Sequence, residues 1–316
     1  MELRNLGRSG LRVPVVGLGC NNFGGRLDLE ASRVVIERAL DLGVNFLDTA
    51  DIYGNPKGSS EEVIGKVLGD ERRNVIIASK FGHQAGMDGS GRAKGASRSY
   101  IVRAVEASLK RLGTDYLDLY QLHEPDPLTP VEETLRALDT LVRQGMVRYV
   151  GSSNFSGWQV ADADWIARTE GLEPFVSAQN EYSLLHHKPQ RELLQALAKY
   201  EVGLLPYFPL ASGALSGKYR RGEPLPEGTR ISANPRAQDR YLNEKNWGII
   251  EDLRAFAEAR GKTLLDLAFA WLIAHPQVSS VIAGATKPEQ VEANVRAGEW
   301  VLTPEEFAEV NGIAGR

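Results

Sequence analysis

Apolar positions along the chain follow two alternating periods. Short apolar runs recur at intervals, and between them apolar residues repeat every three or four positions, as in Ile101, Val105, Leu109 and Leu112. Short runs of this kind are typical of buried strands, whereas the longer period is typical of amphipathic helices. The short runs predict eight strands, at residues 15–19, 45–49, 75–80, 117–123, 147–152, 175–179, 202–206 and 278–283.

Two of the predicted helices begin at a capping sequence. Thr129 and Thr303 are each followed by a proline and then, three residues after the threonine, by a glutamate. A threonine side chain can accept a bond from a free amide group at a helix start, and the glutamate can bond back to the threonine amide. We therefore expect helices to start just after Thr129 and Thr303.

The order of the elements predicts the fold. Residues 3–6 and 11–13 flank a Gly-Arg-Ser-Gly turn, which predicts an N-terminal β-hairpin. Helical crossovers make the eight strands parallel, and their number fits a closed barrel. An open doubly wound sheet is disfavoured because the glycines of residues 17–25 lack Gly-x-Gly-x-x-Gly spacing. We expect an α/β protein with one (β/α)8 TIM-barrel domain over residues 1–316 and long loops at the C-terminal face.

Composition narrows the expected partners. The net charge is −4, whereas general binding to nucleic acid or to a membrane surface usually requires a basic excess. No run approaches the about 18 apolar residues of a membrane span. Cys20 is the single cysteine, so we expect no internal disulfide, no metal site and a reducing, cytoplasmic compartment. A small-molecule ligand is expected, and a homo-oligomer stays open.

Two segments interrupt the regular alternation. Residues 82–96 are glycine-rich and follow a predicted strand, so they form either a substrate lid or an ordinary flexible excursion. Residues 216–240 contain six basic and three acidic side chains in an otherwise acidic protein. This local excess indicates an anion site or, alternatively, solvated loop charge.

Four reactive side chains converge on one predicted rim. In a parallel barrel the C-terminal strand ends form the rim at which active sites are assembled. Asp48 lies near the end of the second strand with Tyr53 in the loop after it, Lys80 ends the third, and His123 ends the fourth. Each has an ordinary structural explanation, because a buried Lys–Asp pair can satisfy itself and aromatic or imidazole rings are common at a rim.

Together these side chains predict carbonyl reduction. Lys80, held by Asp48, is expected to lower the pKa of Tyr53 so that the phenol donates a proton. His123 is expected to align the carbonyl oxygen. Such a site has no hydride source of its own, so a nicotinamide cofactor is required. An aldolase-like Schiff base on Lys80 is the alternative from the residues alone, and it is disfavoured because Asp48 keeps the amine protonated.

Residues 48–54, Asp-Thr-Ala-Asp-Ile-Tyr-Gly, together with Lys80, the Gln-Leu-His of 121–123 and the Gly-Ser-Ser-Asn-Phe of 151–155, resemble the aldo-keto reductase family. The similarity runs from about residue 2 to the end, on a branch related to potassium-channel beta subunits. The resemblance implies a tetrad in which Tyr53 is the acid and base, Lys80 and Asp48 tune it, and His123 orients substrate. It implies NADPH-dependent reduction of an aldehyde or ketone, or alternatively an NADPH-binding regulatory or sensor subunit with slow turnover.

The resemblance also implies where NADPH binds. The nicotinamide is held at the strand ends and by a stacking aromatic, the pyrophosphate by residues 208–218 with a second cation, and the 2′-phosphate by residues 284–294. The implied residues are Asp48, Ser153, Asn154, Gln179, Tyr207, Phe208, Pro209, Leu210, Ala211, Gly213, Lys218, Arg230, Gly284, Thr286, Gln290 and Asn294. Tyr53, His123 and Phe23 are expected at the substrate. Ala293 stands where many relatives have a glutamate, and Gln290 where an arginine would favour NADPH more strongly.

Overall fold

The computed structural model describes residues 1–83 and 95–315. The chain opens with an antiparallel hairpin of β1 (Leu3–Asn5) and β2 (Arg12–Pro14). Eight parallel strands follow, namely β3 (Val16–Gly19), β4 (Phe46–Asp48), β5 (Ile76–Phe81), β6 (Leu117–Leu122), β7 (Val147–Ser153), β8 (Ser177–Glu181), β9 (Gly203–Tyr207) and β10 (Val281–Gly284).

Helices separate the strands and cover the outside of the sheet. They are α1 (Leu29–Asp41), α2 (Ser59–Leu68), α3 (Arg98–Leu112), α4 (Val131–Arg143), α5 (Gly157–Glu170), α6 (Leu193–Tyr200), α7 (Pro235–Tyr241), α8 (Glu244–Glu258), α9 (Leu264–Ile273), α10 (Pro288–Ala297) and α11 (Pro304–Ala314). Within the described ranges, none of these helices has the length and apolar character needed to cross a membrane.

The eight-stranded sheet closes on itself. Its strand order is β10-β3-β4-β5-β6-β7-β8-β9, and each neighbouring pair is parallel. Leu204 of β9 closes the ring, because its amide donates to the carbonyl of Gln277 at 2.7 Å and its carbonyl accepts from the amide of Ser279 at 2.9 Å. The predicted (β/α)8 TIM barrel with an N-terminal hairpin is confirmed.

The hairpin fills the N-terminal end of the barrel. Leu6 and Val13 pack there in one apolar cluster with the barrel side chains Phe46, Ala78, Leu119, Val176, Leu205 and Ile282. Gly7 turns the hairpin with a φ of 56°, and a Cβ on it would lie 2.8 Å from the amide nitrogen of Gly203. Only glycine fits this close approach in a left-handed conformation.

Both helices begin within two residues of the predicted threonine, but the two predicted caps differ in outcome. Thr303 caps α11 as expected, since its hydroxyl accepts from the amide of Glu306 at 3.2 Å and the glutamate accepts from the Thr303 amide at 3.0 Å. At α4 no side chain caps the helix. The hydroxyl of Thr129 donates to Asp126 at 2.7 Å and accepts no bond from an amide of α4, so the predicted cap at Thr129 is wrong.

The long connection after β9 crosses the C-terminal rim. Residues 208–243 contain a 3-10 segment (Ala211–Ser216) and α7. At one side Glu181 at the end of β8 accepts bonds of 2.7 Å from both Arg240 and Tyr241. At the other side Arg26, beyond β3, donates to the carbonyl of Gly228 at 2.7 Å. The connection is therefore fastened on both sides of the barrel mouth.

Candidate active site

A buried ion pair lies at the centre of the rim. Lys80 has no exposed surface, and its Nζ lies 2.7 Å from Asp48 Oδ2 and 2.8 Å from the carbonyl of Thr49. Alternation along β5 places Lys80 inside the barrel and Ser79 outside. Burial alone would lower the pKa of Lys80, but Asp48 and Tyr53 raise it above its ordinary value. The side chain is therefore an ammonium at neutral pH.

Tyr53 lies in the turn that follows β4. Its amide donates to the carbonyl of Ala50 at 3.1 Å, and its carbonyl accepts from the amides of Gly58 and Ser60 at the start of α2. Lys80 Nζ lies 5.0 Å from the centroid of the Tyr53 ring.

The electrostatics of Tyr53 differ from the sequence-based expectation. Burial raises the pKa of the Tyr53 phenol above its ordinary value, and Lys80 opposes this rise. The predicted direction of the Lys80 effect is right, but the predicted net lowering is wrong because removal of the phenolate from water outweighs the ammonium. Tyr53 therefore carries its proton at neutral pH.

His123 lies across the site from Tyr53. Their ring centroids are 5.9 Å apart with nearly perpendicular planes, and the ring of His83 is 5.1 Å from that of His123. Burial, Lys80 and His83 lower the pKa of His123 to about 2, so its imidazole is neutral. In the described part of the chain its buried Nδ1 has no hydrogen-bond partner.

Amide and hydroxyl groups connect the strand ends around this centre. Gln179 on β8 donates to Asp48 Oδ1 at 2.8 Å, and Ser153 on β7 donates to the carbonyl of Gln179 at 2.8 Å. Gln121 on β6 approaches the same Asp48 oxygen at 3.5 Å. Sequence reasoning gave Gln121 no role, although its position two residues before His123 on a strand makes both side chains point inward.

Asn154 extends this network towards β9. It lies in the left-handed region with a φ of 62°, its Nδ2 donates to the carbonyl of His123 at 2.9 Å, and its Oδ1 accepts from the hydroxyl of Tyr207 at 2.8 Å. The structure thus brings the catalytic candidates close to the residues expected at the nicotinamide, which are Ser153, Asn154, Gln179 and Tyr207.

The segment expected at the pyrophosphate has an unusual backbone. Phe208, Ala211 and Ser212 have φ values of 51°, 47° and 58°, a region that non-glycine residues adopt at an energetic cost and mostly at functional sites. Pro209, Leu210 and Gly213 complete the same turn, and Lys218 is exposed just beyond it.

Arg230 lies between this segment and the loop after β3. Its guanidinium is 5.7 Å from the ring centroid of Phe208, and it donates to Asn22 Oδ1 at 3.5 Å. Burial first, and then Arg26, lower the pKa of Arg230. An anion placed against this partly desolvated cation would be stabilised.

The segment expected at the 2′-phosphate joins β10 to α10. Gly284 ends the strand, and the amide of Thr286 donates to Gln290 Oε1 at 2.7 Å. Asn294 is buried one turn further along α10. Asn22 binds the carbonyl of Ala285 at 3.1 Å, which connects this segment to the loop that contacts Arg230.

Two expectations have other outcomes. Phe23 is fully buried in the core, so its ring offers no surface to a substrate and the predicted contact is wrong. The possible lid at residues 82–96 falls mostly outside the described residues, since 84–94 are not among them.

Asp51 lies in the quoted motif but had no assigned role, because its side-chain partner Tyr100 is 49 residues away. Across residues 1–83 and 95–315 no group of three or more His, Cys, Asp or Glu side chains is placed to hold a metal ion.

The chain is similar to known proteins over nearly its whole length. The model of the Aldo/keto reductase family matches residues 15–314. The chain is 37% identical over 329 residues to a probable voltage-gated potassium channel subunit beta of Oryza sativa subsp. japonica, which covers 99% of this chain and 96% of the relative. It is 35% identical over 324 residues to an L-glyceraldehyde 3-phosphate reductase of Escherichia coli O157:H7, an alignment that covers 98% of this chain and 92% of the relative. It is 36% identical over 320 residues to the uncharacterized oxidoreductase YrpG of Bacillus subtilis, an alignment that covers 99% of this chain and 96% of the relative.

Proposed function

Because the chain belongs to the aldo/keto reductase family and is an oxidoreductase, we propose that it reduces an aldehyde or ketone to the alcohol, reversibly, with hydride from NADPH. The buried Lys80–Asp48 pair beside Tyr53 carries this proposal. A fold gains little stability from a buried ion pair that apolar side chains could replace. The pair therefore indicates that the ammonium acts on its neighbour Tyr53.

The residues at the rim fit NADPH. Amide and hydroxyl groups of Ser153, Asn154 and Gln179 suit a carboxamide, and the Tyr207 ring beside them suits a planar nicotinamide. The desolvated Arg230 suits a pyrophosphate, and the start of α10 suits a phosphate through the helix dipole. When bound, NADPH would supply the hydride.

The residues expected at the adenosine end of the cofactor favour NADPH over NADH less strongly than an arginine at position 290 would. Gln290 already accepts bonds from the amide and hydroxyl of Thr286, so a 2′-phosphate there competes with a neutral carboxamide. No arginine stands at position 290. We expect a modest preference for NADPH over NADH.

The protein side chains divide the remaining work. Tyr53 holds its proton at neutral pH and donates it to the carbonyl oxygen. Lys80 stabilises the phenolate that this transfer leaves, and Asp48 keeps Lys80 charged. The neutral imidazole of His123 supplies a hydrogen bond that orients the carbonyl. The raised pKa of Lys80 also disfavours a Schiff base, which requires a neutral amine.

Replacement of Tyr53 by phenylalanine tests the mechanism. We expect Tyr53→Phe to bind NADPH normally, as measured by cofactor fluorescence, and to lose at least about a hundredfold in kcat because the acid is removed. Tyr200→Phe, at the end of α6, is the matched control and should keep wild-type kcat. Undiminished turnover of Tyr53→Phe would show that another group donates the proton.

The substrate panel follows from the relatives. It should begin with glyceraldehyde 3-phosphate, because one relative is named a reductase of its L form, and continue with unphosphorylated aldehydes and ketones. NADPH absorbance reports turnover. Binding of NADPH without oxidation by any carbonyl would instead favour a regulatory or sensor subunit.

A further inference from the structure

A polar cluster is buried outside the barrel, directly behind Lys80. Ser79 points away from the barrel interior and donates to Oε1 of Glu61 on α2 at 2.5 Å. Arg111 on α3 forms an ion pair of 2.6 Å with the other oxygen of Glu61, which is fully buried. Both carboxylate oxygens of Glu61 therefore have strong partners.

Asp51 joins this cluster to the catalytic turn. It is 1% exposed and lies between Asp48 and Tyr53. Its amide donates to the carbonyl of Lys80 at 3.1 Å, which continues the β4–β5 pairing past the end of β4. Its Oδ2 accepts from the hydroxyl of Tyr100 in the first turn of α3 at 3.0 Å. Among the described residues, its buried Oδ1 has no hydrogen-bond partner.

We propose that Asp51 is a positioning residue of the reductase, which holds the Tyr53 turn against Lys80 through its bond to Tyr100 and makes proton transfer depend on its own protonation state. The catalytic part rests on the proposed function. Two backbone hydrogen bonds anchor the turn to β5. The amide of Thr49 donates to the carbonyl of Ala78, and the amide of Asp51 donates to the carbonyl of Lys80. The Asp51 side chain adds the anchor on α3. A displacement of Tyr53 by a fraction of an ångström is enough to slow a proton transfer.

The surroundings of Asp51 make its charge state sensitive to pH. The groups that face it are Glu61 from α2, Tyr100 and Arg111 from α3, Lys80 from β5 and Tyr120 from β6. Burial and Glu61 raise the pKa of Asp51 to about 7, and Tyr100, Arg111 and Lys80 oppose them.

The sign of the effect follows from this pKa. Below pH 7 the carboxyl is neutral. Above pH 7 the Asp51 carboxylate repels the carboxylate of Glu61. Its negative charge also cancels part of the positive potential with which Lys80 stabilises the Tyr53 phenolate. Wild-type kcat should therefore fall as pH rises through about 7.

Two variants separate the anchor from the charge. Tyr100→Phe removes one oxygen and the anchor, and we expect kcat to fall about tenfold while KM stays within about twofold. Asp51→Asn keeps an acceptor for Tyr100 but cannot ionise, and we expect it to keep the low-pH kcat and to lack the inflection near pH 7. Tyr200→Phe again serves as control, with the wild-type profile. Wild-type kcat in Tyr100→Phe, or a wild-type inflection in Asp51→Asn, would overturn the proposal.

A second measurement does not require turnover. Amide hydrogen exchange of residues 49–58, corrected for the intrinsic pH dependence, should increase in wild type as pH rises through 7, should not change in Asp51→Asn, and should be high at all pH values in Tyr100→Phe. Exchange that is identical in all three proteins overturns the anchor. If the exchange pattern holds but wild type reduces no carbonyl, the proposed function fails while the anchor stands.

Discussion

The two ends of the barrel are filled in opposite ways. At the N-terminal end Leu6 and Val13 of the hairpin pack against six apolar barrel side chains, with no ionisable group among them. At the C-terminal end the same strands present Asp48, Lys80 and His123, all buried. Burial of apolar side chains stabilises the fold, whereas burial of charges opposes it. The comparison teaches that, inside the barrel, apolar packing occupies one end and the reactive side chains occupy the other.

The largest expected effect is at the polar end, from loss of the ammonium. Lys80→Met leaves Asp48 buried without its cation and Tyr53 without stabilisation of its phenolate. We expect kcat/KM to fall about a thousandfold or more and the free energy of unfolding to fall by about 3 kcal/mol. Steady-state kinetics and chemical denaturation measure both. Lys66→Met, on the exposed face of α2, is the control, and a Lys80→Met enzyme as active as this control would break the comparison.

At the apolar end we expect a loss of stability without a loss of chemistry. Leu6→Ala removes a fully buried side chain, so the free energy of unfolding should fall by about 3 kcal/mol, while kcat stays within about twofold. Leu3→Ala, in the same hairpin but 45% exposed, should change neither. A large loss of kcat in folded Leu6→Ala would mean that the two ends are coupled more tightly than their packing indicates.

The smallest expected effect concerns a buried imidazole away from the rim. His275, in the connection that enters β10, bonds to the hydroxyl of Tyr182 at 2.9 Å, and burial, followed by His187, lowers its pKa to about 4. The unfolded chain binds a proton near the ordinary value of about 6.5, so the folded state binds fewer protons below that pH. The neutral His275 imidazole therefore contributes its full stabilisation above pH 6.5, and this contribution is lost as the pH falls from 6.5 to 4. At pH 5 the free energy of unfolding should be lower by about 2 kcal/mol for this reason.

Denaturation of wild type and His275→Gln at pH 7 and pH 5 tests this sign. The variant loses stability at pH 7 because it removes the Tyr182 bond, but its further loss on acidification should be smaller than that of wild type. Equal losses on acidification would assign the pH dependence to other groups. His123, with a pKa of about 2, contributes in the same direction in both proteins and cancels from the difference.

Much of the candidate site was predictable because strand alternation is a local property. Lys80 and His123 were predicted as strand ends. The structure ends the strands at Phe81 and Leu122, yet both side chains point into the barrel as expected. The family motif located Tyr53 and Asp48, and the position of Asn154 after β7 followed from the same pattern.

The errors share one physical cause. The cap at Thr129, the ring of Phe23 and the net pKa of Tyr53 each depend on a partner or on a degree of burial that the neighbouring residues do not specify. The sequence by itself determined the barrel, its hairpin and the residue types at the rim, because the period of apolar positions decides which face each strand and helix buries. Only the tertiary structure decided that Tyr53 is desolvated and that Asp51 meets Tyr100, because desolvation and contacts over 49 residues arise only when all the elements have packed.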